Sequence, residues 1–194
     1  IAGSNGKTTV KEWLYQLLMD DYTVTRSPRS YNSQIGVPLS VWGLWAQSQI
    51  GIFEAAISQP GEMEALEAII QPTIGVFTCL GSAHQENFES MEQKCTEKLQ
   101  LFRDAQTLIY PADDPIVSKC VEQMDFRGKL IPWHRTGKGA MEDNKEICRA
   151  VCRHLGMSEE VISERVARLE PVAMRLEVKS GCNGCTLIYD SYNS

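Results

Sequence analysis

The chain has 194 residues, enough for one sizeable core and too few for two comfortable domains. Its composition, 43% hydrophobic and 23% charged, is that of a globular protein, and no apolar run approaches the roughly 20 residues a membrane helix needs. A net charge of −6 argues against nonspecific nucleic-acid binding, which wants a basic surface. It leaves room for a local anion site where cations such as Lys7, Arg26 and Arg29 gather.

The elements alternate strand and helix. Only Ile1-Ala2 stands where a strand would lead into the run Gly3-Ser4-Asn5-Gly6-Lys7-Thr8-Thr9, and there is no initiator Met, so the chain reads as an excerpt from a longer protein. A helix follows from Lys7 to about Met19, with Val10, Trp13, Leu14, Leu17 and Leu18 at the spacing of a one-sided apolar stripe. Tyr22 to Arg26 reads as a strand. Ile35-Gly36-Val37-Pro38 opens a second helix carrying Leu39, Val41, Trp42, Leu44 and Trp45, with Pro38 suited to a first turn. Ile50 to Ala55 is a short apolar run of the kind found in buried parallel strands. Gly61 to Ile70 is helical and closed by Pro72, Thr73 to Cys79 is a strand, and Ser90 to Asp104 a helix. Thr107 to Tyr110, Pro115 to Met124 and Lys129 to Trp133 continue as strand, helix, strand.

The character then changes. Asp143 to Leu155 and Ser158 to Leu169 are adjacent helices, and Arg175 to Lys179 with Thr186 to Asp190 forms a hairpin around Asn183-Gly184, a type I′ turn signal. The expected class is α/β, a mostly parallel sheet with helices on both faces and a C-terminal β-hairpin. The seven cysteines are odd in number and scattered, which suits a reducing compartment and a cytoplasmic location. Cys148, Cys152, Cys182 and Cys185 assemble on paper into a zinc site. However, the last two bracket a turn and the first two lie one helical turn apart, so no zinc is expected.

The chemistry concentrates at strand ends, where open parallel sheets bind their ligands. The run from Gly3 to Thr9 reads as a phosphate-binding loop: glycines expose backbone N–H groups, and the following helix N-terminus adds partial positive charge. Lys7 supplies charge to the β- and γ-phosphates and the Thr8 hydroxyl can sit on Mg²⁺, so the expected ligand is ATP. The full pattern wants a glycine five residues before Gly6, where Ile1 stands. Glu54 ends an apolar strand and would be costly to bury alone; Mg²⁺ would compensate it, and a salt-bridged or helix-capping glutamate is the alternative. His84 lies just past the strand ending at Cys79, where a lone histidine more often serves as a solvated or hydrogen-bonding residue. Lys94 and Lys98, four apart on the next helix, read as a solvated face.

Taken together, Gly3-Ser4-Asn5-Gly6-Lys7-Thr8-Thr9, Asn32-Ser33-Gln34-Ile35-Gly36-Val37-Pro38, Glu54 with Pro60-Gly61-Glu62, Ala83-His84-Gln85-Glu86-Asn87-Phe88 and Asp190-Ser191-Tyr192-Asn193-Ser194 resemble the Mur ligases. These are the ATP-dependent amino-acid ligases of peptidoglycan synthesis. The resemblance runs the whole length, 1–194, and implies the family's central ATP-binding domain, with flanking UDP-binding and C-terminal domains of the same polypeptide lying outside this stretch. Within the family the pattern is most similar to the members that join D-Ala-D-Ala to UDP-N-acetylmuramoyl-tripeptide through an acyl phosphate. The segment Gln85 to Phe88 resembles the type fused to alanine racemase.

The resemblance also implies roles. Gly3, Ser4, Asn5, Gly6, Lys7, Thr8 and Thr9 would hold the nucleotide, with Asn144 near the adenine and Arg175, Asp190 and Tyr192 facing it. Thr8, Glu54 and His84 would bind Mg²⁺. Lys98 matches a carbamylated lysine, whose anionic carbamate would help hold a second ion. Lys7, His84 and Lys98 would thus be the catalytic set, and Asn32 and Gln34 would face the muramoyl substrate. No nucleic acid and no membrane insertion are expected. Three rivals stay open: another Mur-type ligase, a folylpolyglutamate-type ligase, and a noncatalytic nucleotide-binding module.

Overall fold

Short, nearly continuous apolar strands call for a sheet covered on both faces, and the computed structural model, which describes residues 1–172 and 177–189, has that form. In chain order it comprises α1 (Lys7–Leu18), β1 (Val24–Arg26), α2 (Gly36–Trp42), β2 (Ile50–Ile52), α3 (Glu62–Ile70), β3 (Ile74–Val76), α4 (Met91–Leu99), β4 (Thr107–Pro111), α5 (Pro115–Gln123), β5 (Lys129–Trp133), α6 (Ala140–His154), α7 (Glu159–Ala167), β6 (Glu177–Ser180) and β7 (Thr186–Tyr189).

β1 pairs with β2, β3 with β4 and β4 with β5, all in parallel. Ile1 and Ala2 join the two groups. The Ile1 amine donates to Phe53 O (2.7 Å), Ala55 N to Ile1 O (2.9 Å), Ala2 N to Val76 O (2.9 Å) and Thr78 N to Ala2 O (2.9 Å). The spatial order is therefore β1, β2, residues 1–2, β3, β4, β5. The chain's first two residues sit at the middle of the sheet and aim the glycine-rich run out of its carboxyl edge.

Two cores follow from the pleat. Phe77 and Leu108 point into one, with Met63 and Leu66 of α3, Cys95 and Leu99 of α4, and Val117 and Val121 of α5. Val76 and Ile109, their immediate neighbours in sequence, point into the other, with Val10, Trp13, Leu14 and Leu17 of α1, Ile147 and Val151 of α6, and Ile162 of α7. The helices start where side chains can satisfy their first amides: Ser90 Oγ accepts from Gln93 N, Asp114 from Ile116 N and Val117 N, and Ser158 Oγ from Val161 N. α3 stops at Gln71, which turns into the left-handed region (φ 44°) just ahead of Pro72.

Several elements are shorter than their patterns. α2 ends at Trp42, so Leu44 and Trp45 lie beyond it, and Trp42 itself is 84% exposed. The helix expected from Ser90 to Asp104 ends at Leu99 and tightens into a 3₁₀ turn, Gln100–Phe102. That turn drops the buried Phe102 ring onto Gly75, where any Cβ would lie 2.5 Å from the ring. The C-terminal hairpin pairs Ser180 with Thr186, so its link is longer than a two-residue type I′ turn. Asn183 takes the left-handed conformation (φ 57°) inside a three-residue turn, Cys182–Gly184, closed by Gly181 N donating to Cys185 O (2.8 Å).

Candidate active site

The loop between residue 2 and α1 is set by two glycines whose conformations suit no other residue. Gly3 has φ +140°, with Thr78 Oγ1 packed where its Cβ would be, and Gly6 has φ +83°, with Asn144 Oδ1 2.5 Å from a Cβ position. Thr78 Oγ1 donates to Asn5 O (2.5 Å), and Gly81 N donates to Ser4 Oγ (2.9 Å). These bonds tie the loop to the segment that follows β3. Lys7 Nζ folds back over the loop to Gly3 O (2.9 Å) and Ser4 O (3.2 Å). A cavity of about 210 Å³ opens here, bounded by residues 3–8, Asn32, Ala56, Ile57, Ala83, His84 and Lys98.

Glu54 lies behind Thr8 and is completely buried. Thr8 Oγ1 donates to both carboxylate oxygens (3.2 and 3.0 Å), Asn32 Nδ2 to Oε2 (3.3 Å) and Lys11 Nζ to Oε1 (3.1 Å). Glu54 is thus salt-bridged, as in the alternative reading of the sequence, and it also accepts from the Thr8 hydroxyl. A Thr hydroxyl beside a buried carboxylate is a hard oxygen set that fits Mg²⁺. Among the described residues no cluster of three or more His, Cys, Asp or Glu could hold a metal.

His84 caps a short 3₁₀ turn in the left-handed region (φ 59°) and is exposed at the cavity. Its loop is pinned from below by Lys94, whose amine donates to Gly81 O (2.7 Å), Ala83 O (2.5 Å) and Gln85 Oε1 (3.5 Å). The expectation of a solvated face for Lys94 and Lys98 is corrected here. Lys94, Cys95, Lys98 and Leu99 form the buried side of α4, because that helix packs over the carboxyl edge of the sheet. Lys98 is 3% exposed and lines the cavity. Burial, reinforced by the positive charges of Lys7 and Lys94, pushes its amine down to about 8.

Not every expected residue converges. Gln34 Nε2 donates to Glu62 O (3.2 Å) at the start of α3 and does not line the cavity. Thr9 is buried within α1. Arg26 turns away from Lys7, pairs with Glu12 Oε2 (2.8 Å) and stacks on Tyr15. Asn144 packs on Gly6 from α6. Arg175, Asp190 and Tyr192 lie outside the described residues. Sequence reasoning missed Lys11 altogether. Its signal was a charge three residues after Thr8, on the same face of a helix otherwise packed with apolar side chains.

Residues 1–144 match the family profile described as Mur ligase middle domain. The UDP-N-acetylmuramoyl-tripeptide–D-alanyl-D-alanine ligase of Bacillus subtilis is 25% identical over 224 residues, which cover 100% of this chain and 49% of that protein. MurF from Acinetobacter baumannii has the same fold, with a TM-score of 0.90 at 21% identity over 100% of this chain and 50% of its own. MurF from Thermotoga maritima, solved in complex with ADP, gives a TM-score of 0.87 at 25% identity, covering 100% of this chain and 53% of its own. The chain thus spans about half the length of these relatives.

Proposed function

We propose, from the premise that this chain belongs to the Mur ligase family as its middle domain, that it is the ATP-binding centre of a ligase adding D-Ala-D-Ala to UDP-N-acetylmuramoyl-tripeptide. The observation that carries the reading is the meeting of Lys7, Thr8, His84 and Lys98 around one cavity, with the Glu54 carboxylate directly behind Thr8. The names of the relatives, and the ADP held by the Thermotoga maritima protein, support the choice of substrates and nucleotide. Flanking domains of the same polypeptide would hold the UDP moiety and the incoming dipeptide, and the reaction would run in the cytoplasm.

The residues divide the work. Loop amides and the Lys7 ammonium hold the phosphates and match the charge that spreads over a phosphoryl group in transfer. Thr8, with Glu54 buried behind it, and His84 would hold Mg²⁺, which when bound would supply Lewis-acid neutralisation of phosphate and carboxylate oxygens. Asn32, at the cavity rim and bonded to Glu54, faces the acyl substrate. Lys98 carries an amine that is easily made neutral, and a neutral amine adds to CO₂, forming an N–C bond and releasing one proton. The resulting carbamate replaces a buried positive charge with a negative one, as a second cation site requires. The substrate carboxylate takes the γ-phosphoryl group to form an acyl phosphate, and the dipeptide amine then displaces phosphate.

The test uses the full-length polypeptide with ATP, Mg²⁺ and the UDP-linked tripeptide, with hydroxylamine replacing the dipeptide. A tripeptide hydroxamate formed together with ADP is the expected result. Nucleotide binding with neither product would identify a noncatalytic module.

A further inference from the structure

Lys11 is completely buried one turn into α1. Its amine reaches Ser27 O (2.8 Å), Arg29 O, Glu54 Oε1 (3.1 Å) and Glu12 Oε1 (3.2 Å). An ammonium has three N–H donors. Two are taken by the backbone that follows β1, which leaves the third for carboxylate. Arg29 sits in the left-handed region (φ 48°) with its carbonyl on the Lys11 amine. The segment so pinned carries Ser30, whose hydroxyl oxygen lies 3.4 Å from Thr8 Oγ1, and Asn32, which donates to Glu54 Oε2.

A fully buried ion pair is a poor device for stability alone. Desolvating each charge costs several kcal/mol, and apolar replacements of similar volume are often neutral or better. What the pair provides here is direction. Lys11 holds Oε1, while Oε2 accepts from Asn32 and Thr8 Oγ1 bridges both oxygens, and Thr8 and Asn32 both line the cavity.

We infer that Lys11 is a positioning residue that orients the Glu54 carboxylate and the 27–32 segment for the metal, a role resting on the reading of Glu54 as a metal donor. Outer partners that orient a ligand typically contribute about 10- to 100-fold to metal affinity. The charge on Lys11 opposes a cation at long range, so a merely electrostatic view predicts the reverse sign: removing it would tighten binding.

The experiment titrates Mn²⁺ by electron paramagnetic resonance into the full-length polypeptide with ADP, and separately measures ADP affinity without metal. Lys11→Met should weaken Mn²⁺ binding about tenfold and leave metal-free ADP affinity within about twofold. Lys11→Gln, which keeps a donor and loses the charge, is read the same way and stands in if the Met variant does not fold. Lys11→Arg, which keeps the charge and donors, should recover most of the loss. Unchanged or tighter Mn²⁺ binding in a folded Lys11→Met or Lys11→Gln protein overturns the inference. Parallel loss of both affinities also overturns it, since a merely structural role would lower them together. Glu54→Gln separates the two layers: if that variant binds Mn²⁺ normally, the metal-donor reading fails first and Lys11 has nothing to orient.

Discussion

The two ends of the same parallel strands hold cavities of opposite character. At the end where β2 and β3 begin, ahead of Ile1, where none of the described residues runs between those two strands, a space of about 480 Å³ is lined by Leu14, Leu18, Ile50, Ile52, Ile74 and Val151, among others, and by no charged side chain among those described residues. At the end where the strands finish, the space is less than half that size, about 210 Å³, and around it lie Lys7, Lys98 and His84, with Glu54, Lys11 and Lys94 buried just behind. The contrast teaches that volume and chemistry are separate signals. Volume here marks only the position ahead of Ile1 where no strand among the described residues lies between β2 and β3. Chemistry marks where the fold bears the cost of desolvating charge.

Substitutions at the two ends should therefore differ in kind. The largest effect is expected from Lys7→Ala in the full-length polypeptide: at least about a 10³-fold fall in phosphoryl transfer, measured as ADP release, with little change in the urea midpoint. Near-normal turnover would erase the distinction between the ends. Next comes Lys98. Its folded-state value of about 8 lies below the ordinary 10.5, so the unfolded chain binds more protons between those pH values. The Lys98 contribution to stability in CO₂-free buffer, read as wild type minus Lys98→Met, should therefore rise with pH across that window by at most about 3 kcal/mol, while the buried thiols of Cys95, Cys148 and Cys152, pushed up by burial, pull both proteins the other way above about pH 9. Denaturant midpoints against pH check both the sign and the variant.

Gly6→Ala should cost about 1–2 kcal/mol, because its left-handed backbone disfavours a Cβ whatever surrounds it. Nucleotide affinity should fall with it, and Asn144→Ala in the same chain should relieve the steric part only; calorimetric titration with ADP distinguishes the two parts. The smallest effect is expected at the other end. Ile74→Val should lower stability by about 0.5 kcal/mol and leave ADP affinity unchanged. An altered affinity there would mean that the apolar end communicates with the polar one.

The parts of this architecture that sequence discloses are those where local geometry dictates residue type. Gly3 and Gly6 are legible because their backbone angles admit little else, and α1 is legible because its stripe keeps one period for three turns. β5 runs from Lys129 to Trp133 as expected, and the other elements differ mainly at their ends. What is not legible depends on what lies opposite. Lys11, Lys94 and Lys98 look like solvent-facing positions until α1 and α4 are seen to press them against carbonyls, carboxylates and the cavity. The stop of α4 at Leu99 depends on where Phe102 can lodge, and the turn at Asn183 on a hydrogen bond between residues on either side of it.

Ile1 and Ala2 carry a consequence for biosynthesis. They are translated ahead of both strands that will flank them, yet they pair with residues 53–55 on one side and 76–78 on the other. A ribosome must therefore release the chain past residue 78 before the centre of the molecule can close. Until then the apolar stripe from Val10 to Leu18 has no sheet to cover. Such nonlocal closure slows folding and lengthens the time for which that stripe is exposed in the nascent chain.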